Sequence, residues 1–240
     1  MNTEIVELAQ NDQFTFSCSN KLKCFNNCCR DLNQFLTPYD ICRLKNSLQM
    51  PSNFFLEKYT VMHTGPETGL PIISLKPKHA SGLSCPFVSS SGCKVYKDRP
   101  SSCRMYPLAR IVKRSRKSGK MIKQYMLLKE SHCFGFSNKN RQTVSQWIKD
   151  QGLLPYNEIN DMLMEIISLK NQLKPGHLDP ELSYYFQMAC YNLDVFRDQI
   201  FNKGLLSKFA MDDEISDKMR NDDELFLKFG LKWITKILFN

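Results

Sequence analysis

From residue 141 onward the apolar positions recur every three or four residues, the period of a helix with one buried face. Ile159, Met162, Leu163, Ile166, Leu169 and Leu173 form one such stripe, which stops at the breaker sequence PGHLDP. A second stripe, Leu182, Tyr185, Phe186, Ala189, Leu193, Phe196 and Ile200, predicts a single helix starting near Pro180. A third, Phe226, Phe229, Trp233, Ile237 and Leu238, follows Asp222, Asp223 and Glu224, and acidic residues favour a helix N-terminus. Asp212–Glu214 reads as another helix start, and 143–152 as a short helix halted by Gly152 and Pro155.

Before residue 141 the pattern is irregular. In LTPYDICRLKNSL, Thr37 is a candidate N-cap, Pro38 suits the first helical position, and Ile41, Leu44 and Leu48 share one face. GLPIISLKP predicts a short strand, and ARIVKRSRKSGKMIKQYMLL predicts two strands joined by a turn around 115–119. The expected fold class is α+β. An irregular, cysteine-rich region with short strands (1–140) is joined to a helical region (141–240), the two packing as one compact unit.

Composition then narrows the chemistry. The chain has 240 residues, 42% of them apolar, enough for a real core. MNTEIVELAQNDQ lacks the cationic and apolar segments of a signal peptide, and no apolar run approaches the ~20 residues of a membrane span. A cytoplasmic protein is expected, with no membrane association. That expectation decides how the ten cysteines are read. In a reducing compartment, clustered thiols bind metal or do redox chemistry more often than they form disulfides.

Eight cysteines sit in polar or turn-rich sequence: Cys18, Cys24, Cys28 and Cys29 in FSCSNKLKCFNNCCR, then Cys85, Cys93, Cys103 and Cys133. Cys42 and Cys190 fall on predicted helices and are expected to pack. No C-x-x-C pair occurs, so the knuckle spacing of zinc ribbons is missing. Each later thiol adjoins a turn-former, in Cys85-Pro86, Gly92-Cys93, Pro100 before Cys103, and Cys133-Phe134-Gly135. Such loops can aim amide N–H groups at sulfur and stabilise thiolate charge. Soft thiolates select zinc, copper(I) or iron–sulfur clusters. Eight of them could fill two four-cysteine sites, and one [4Fe–4S] cluster takes four. Cys28 and Cys29, being adjacent, could serve two different metals, or one could bind while the other packs.

The motifs Phe16-x-Cys18, Cys28-Cys29, Cys85-Pro86-Phe87, the long block from Gly92-Cys93 through Tyr96, Arg99-Pro100, Cys103-Arg104 and Tyr106-Pro107, and Cys133-x-Gly135 resemble a bacterial cysteine-cluster family. This is the YkgJ-like zinc- or iron-chelating domain, whose cluster is shared by flagellin lysine N-methylases. The segments 189–197 and 229–233 resemble its longer members. The resemblance implies chelation of iron or zinc by the cluster cysteines. It also leaves open a methylase-like enzyme. The first block departs from the family's usual C-x2-C-x2-C-C, reading C-x5-C-x3-C-C here, and the departure bears most on Cys24.

Other residues are read more narrowly. Arg99 and Arg104 bracket Cys103 and could neutralise thiolates at a cofactor site; the alternative is an ion pair with a neighbour such as Asp98. Tyr96 and Tyr106 are expected to pack around the site. His63, His79 and His177 are expected at the surface, and His132 is a minor candidate to replace a thiolate. Residues 1–140 carry 21 Lys+Arg against 9 Asp+Glu, whereas 141–240 carry 12 against 15. Part of that excess could compensate thiolate charge. The run 110–123 holds seven cations, read as a solvated ribbon or a dock for an unknown protein partner or substrate. Sparse aromatics argue against nucleic acid. No phosphate loop, G-x-S-x-G elbow or H-E-x-x-H motif is present. The expected function is metal binding through clustered thiolates, with an iron–sulfur cluster favoured over zinc, and a zinc-stabilised interaction module as the alternative.

Overall fold

The computed structural model describes residues 3–30, 33–79, 82–137, 140–204 and 213–239. Short antiparallel sheets and a largely helical C-terminal portion make the fold α+β. The chain forms two units that interleave in sequence: residues 1–33 with 77–165, and 34–76 with 166–240. The crossing at 165/166 lies inside one long helix, 154–173.

The first unit is built on a three-stranded antiparallel sheet. Strand β1 (Thr3–Leu8) pairs with β9 (Met121–Glu130), which pairs with β8 (Leu108–Arg114). The register sets Thr3 opposite Glu130 and Leu108 opposite Leu127. Alternation along the strands turns Leu108, Tyr125 and Leu127 inward, where they are buried. The turn between β8 and β9 falls at the predicted place. A second ribbon pairs β2 (Gln13–Thr15) with β10 (Arg141–Thr143). Thr143 then caps α4 (Val144–Asp150) in a capping box with Gln146. Phe14, Phe16, Met105, Trp147, Ile148, Leu153 and Tyr156 form the core, and the Trp147 indole N–H donates to the Met105 carbonyl at 3.0 Å.

Helix α5 (Leu154–Leu173) engages the basic ribbon. Arg110 and Lys123 both pair with Asp161, at 2.7 and 2.9 Å, and Arg114 pairs with Glu165 at 3.3 Å. The run is therefore partly neutralised. Among the described residues, Lys113, Arg116, Lys117 and Lys120 have no carboxylate partner.

The second unit holds a small sheet in the order β3 (Phe35–Leu36), β5 (Pro71–Leu75), β4 (Thr60–Thr64). Helix α1 (Pro38–Ser47) starts as expected, with Thr37 and Asp40 forming a capping box and Pro38 in the first turn. The stripe read as one helix from Pro180 is two helices, α6 (Pro180–Cys190) and α7 (Leu193–Phe201). The break has a tertiary cause. Helix α2 (Ser52–Tyr59) begins after Pro51, which offers no capping side chain, so Asp194 accepts from the Ser52 amide at 2.6 Å. Ser52 Oγ donates to Asn192 Oδ1 at 2.8 Å and accepts from the Asp194 amide at 2.9 Å. That exchange holds Asn192 at ψ 64°, off the helical path.

Helices α8 (Asp213–Asn221) and α9 (Asp223–Phe239) complete the unit. Phe196, Phe226, Phe229 and Trp233 pack ring on ring at centroid distances of 5.1 to 6.1 Å. Lys170 is fully buried and donates to the carbonyls of Thr68 and Gly176. Among the described residues no helix is long and apolar enough to cross a membrane.

Candidate metal centre

The two units sort the cysteines. All eight candidate ligand cysteines lie in the first unit, while Cys42 and Cys190 lie in the second. There they are packed as expected, at 2% and 0% exposure, and burial pushes the Cys42 thiol up to about 12.

Backbone hydrogen bonds draw the eight together. Ser17 N–H donates to the Gly135 carbonyl at 3.0 Å, tying the Cys18 stretch to the Cys133 loop. Cys24 is buried, and its sulfur accepts from the Phe134 amide at 3.3 Å. Cys28 and Cys29 end a one-turn 3-10 helix (Asn27–Cys29), and the Cys29 carbonyl accepts from the Cys85 amide at 2.8 Å. Cys93 sits on β7 (Gly92–Cys93), opposite Val88 of β6 (Val88–Ser89). Cys103 lies on the five-residue helix α3 (Ser101–Met105), and Cys133 follows the end of β9.

Three of the later thiols repeat one local device. The amide two residues on stabilises the thiolate: Phe87 for Cys85, Val95 for Cys93 and Gly135 for Cys133. Val88 adds a second amide at Cys85. These are the N–H···S contacts expected of loops that present thiolate ligands.

The thiols also sense one another. Burial, then the fields of Cys28, Cys24 and Cys133, raise Cys18, with Arg99 opposing. Burial first, and Cys93 as a further cause, raises Cys85; burial also raises Cys93, which sits in the field of Cys28. Cys29 shares its proton with Cys28, so Cys29 moves up and Cys28 down to about 7, against the cost of burial. Cys29 additionally senses Cys85 and Cys103. Cys133 is raised by burial, with the Tyr106 hydroxyl opposing and Cys24 adding to the rise.

Among the described residues no group of three or more His, Cys, Asp or Glu side chains is already arranged to hold an ion. The donor set nevertheless fits a soft metal by its chemistry, being thiols that sense one another in pairs, four of them with amides aimed at sulfur.

Two arginines read together in the sequence occupy different settings. Arg99 stacks on the Tyr96 ring at 3.9 Å, donates to the Tyr96 carbonyl at 2.7 Å and to Gln151 Oε1 at 2.5 Å, and lies in the field of Cys18, Cys93 and Cys103. Arg104 is 9% exposed and donates to the carbonyls of Arg99, Gln151 and Lys97, with its guanidinium 4.9 Å from the Tyr156 ring. It clamps the loop that carries Arg99.

Some roles escaped the sequence. Phe16 is 2% exposed and meets Tyr106, Phe136 and Trp147 at 5.8, 5.2 and 5.7 Å, forming a plate beneath the Cys18 and Cys133 segments. Glu130 accepts from the Tyr106 hydroxyl at 2.9 Å, which orients that hydroxyl beside Cys133. Its only sequence signal is its place three residues before Cys133. Gln151, which fixes Arg99, had none. His132 lies 3.7 Å from Glu130, and His63 rests against Phe35.

Eight thiols in one unit, four of them with backbone amides directed at sulfur, define a cysteine-rich metal-binding protein. Residues 17–141 match CxxCxxCC, the "putative zinc- or iron-chelating domain", and the chain belongs to that family. No curated protein and no solved structure matches the chain.

Proposed function

We propose that the protein holds an iron–sulfur centre through the loop thiolates of its first unit, serving a redox role in the cytoplasm. The observation that carries this reading is the sorting of the cysteines: the eight candidate ligands share one unit and sense one another's charge, and the two that pack in the helical core lie in the other unit. A bound cluster supplies one-electron chemistry. The chain's own residues do the rest. Its thiolates bind, the amides of Phe87, Val95, Phe134 and Gly135 stabilise sulfur charge, and Arg99 supplies a cation beside Cys18, Cys93 and Cys103. Thiolate donors outnumber histidines around the site and C-x-x-C spacing is absent, which favours iron–sulfur over zinc. Anaerobic purification, a visible spectrum and assays for iron, acid-labile sulfide and zinc test it. Brown protein with iron and sulfide supports the proposal, and colourless protein holding stoichiometric zinc overturns it.

A further inference from the structure

The two faces of the β1–β9–β8 sheet meet different fates. Alternation along the strands places Arg110, Arg114, Lys123, Tyr125 and Leu127 on one of them. That face receives α5, whose Asp161 pairs with Arg110 and Lys123 and whose Glu165, one turn on, pairs with Arg114. The other face carries Ile5, Ala109, Ile111, Ile122, Met126 and Leu128. Register makes these one patch, with Ile5 opposite Leu128 and Ala109 opposite Met126. Ile111 and Ile122 are diagonal neighbours, because Gln124 stands opposite Ile111 and Lys113 opposite Ile122. Ile5, Ile111 and Ile122 are 62%, 43% and 41% exposed. The patch borders charge that the chain leaves unused. Lys113 on the same face, and Arg116, Lys117 and Lys120 in the turn, are exposed and have no carboxylate partner among the described residues.

We propose that this second face docks an acidic amphipathic helix of a partner protein. The helix lays apolar side chains on Ile5, Ile111 and Ile122 and sets carboxylates over Lys113 and the turn. The first face supplies the precedent, since there α5 brings two carboxylates a turn apart to the same ribbon. Contiguous exposed apolar surface rimmed by charge is the pattern of an interaction site, and the rim charges steer and orient the partner. The complementarity is local. The cations gather at the turn, whereas Glu7 lies farther along the same face, exposed, opposite Met126 and accepting from the Gln124 amide at 2.9 Å. A protein segment can confine its carboxylates to the turn end. An anionic lipid surface or a nucleic acid would set phosphates against Glu7 as well. No aromatic ring of the three strands lies on this face to stack on bases, since Tyr125 is buried on the other.

The probe is a fluorescein-labelled helical peptide of about 20 residues, with leucine along one face and glutamate at i, i+4 spacing on its flank. Fluorescence anisotropy with the 240-residue chain is expected to show saturable binding that weakens as salt rises. Lys117→Glu/Lys120→Glu and Ile111→Gln/Ile122→Gln are each expected to weaken it about tenfold. The same peptide with glutamine in place of glutamate should lose affinity by a similar factor. All four substituted residues are exposed, so the circular dichroism of both variants should match wild type. No saturable binding to the wild-type chain overturns the proposal, as does unchanged binding by either folded variant or indifference to the glutamine replacement. Tighter binding to phosphatidylglycerol vesicles or to a single-stranded oligonucleotide, lost in the same variants, also overturns it and assigns the face to a membrane or a nucleic acid. Should a variant misfold, the glutamine peptide measured against wild type decides.

Discussion

Gly135→Ala tests whether the plate under the thiols is as tight as its geometry indicates. A Cβ at residue 135 would lie 2.4, 2.9 and 3.0 Å from three carbons of the Phe16 ring. Carbon atoms rest comfortably at roughly 3.5–4.0 Å, so ring and loop must separate by about 1 Å. The ring cannot yield, being buried and held by Tyr106, Phe136 and Trp147. Gly135 lies outside the left-handed region, so alanine incurs no backbone strain and the cost is steric. Overpacking of this kind costs about 1–3 kcal/mol. If the loop moves instead, the bond from Ser17 N–H to the Gly135 carbonyl is lost, worth about 1 kcal/mol.

The expected loss is about 2–4 kcal/mol if both terms apply. It is read from the urea midpoint by far-ultraviolet circular dichroism on metal-stripped protein. Metal affinity should fall in parallel, because Cys18 and Cys133 flank the displaced contact. Phe16→Leu introduced beside Gly135→Ala removes ring atoms at the clash and should restore part of the loss. The double-mutant cycle therefore gives a favourable coupling well above the ~0.5 kcal/mol expected of independent sites. Stability of Gly135→Ala within ~0.5 kcal/mol of wild type, or strict additivity of the pair, would refute the reasoning.

Four further outcomes follow from other contacts. Gly230→Ala sets a Cβ 2.5 Å from the Ala189 carbonyl oxygen, so thermal melts should show a loss of about 1–3 kcal/mol despite alanine's better helix propensity. Asp223 receives Lys45 at 2.7 Å and Arg197 at 2.5 Å, and these bonds hold its carboxyl below the usual 3.8 despite burial. Its contribution is complete above about pH 5 and declines as pH falls below 3.8 toward the lower folded-state value, so Asp223→Asn should cost about 1.5–3 kcal/mol at neutral pH and progressively less as the solution is acidified through that range. Arg99→Gln should weaken metal binding about 10- to 100-fold in competition with a chelator, whereas Arg104→Gln, which orphans three carbonyls, should mainly lower stability, by about 2–4 kcal/mol. Cys85→Ser should lower bound metal in elemental analysis while Cys42→Ala leaves it unchanged; equal content in both would sink the assignment.

Local signals carried much of the fold into the sequence. The Thr37 capping box, the hairpin turn near 115–119 and the helical placement of Cys42 and Cys190 each depend on residues close in sequence. The missed features are non-local. β1 finds its partner across the chain, with Thr3 opposite Glu130, and nothing within Thr3–Leu8 names that partner. The break at Asn192 is dictated by Ser52, 140 residues away. The site divides in the same way. Turn-formers beside Cys85, Cys93 and Cys133 announced loops that bend amides toward sulfur, but the Phe16 plate and the Gln151 contact to Arg99 arise only on folding.

The hairpin also decides which positive charges can serve the thiols. β8 begins at Leu108, just after the helix bearing Cys103, and β9 ends at Glu130, just before Cys133. Antiparallel pairing of Leu108 with Leu127, extended by the Leu128 amide donating to the Pro107 carbonyl at 2.9 Å, brings both cysteines out at one end of the ribbon. The turn carrying Arg116, Lys117 and Lys120 is at the other end. Seven residues of strand separate the ends by about 20 Å, roughly two Debye lengths at physiological salt. Any compensation of thiolate charge by the basic excess of residues 1–140 therefore does not come from the turn. Nor does it come from Arg110, Arg114 and Lys123, whose charges are taken by Asp161 and Glu165. Arg99 is left as the arginine whose field reaches Cys18, Cys93 and Cys103, held in place by Tyr96 and Gln151. The cations that act on the thiols are thus individual neighbours, Arg99 beside Cys18, Cys93 and Cys103 and Lys78 beside Cys85, rather than the net basicity of the region.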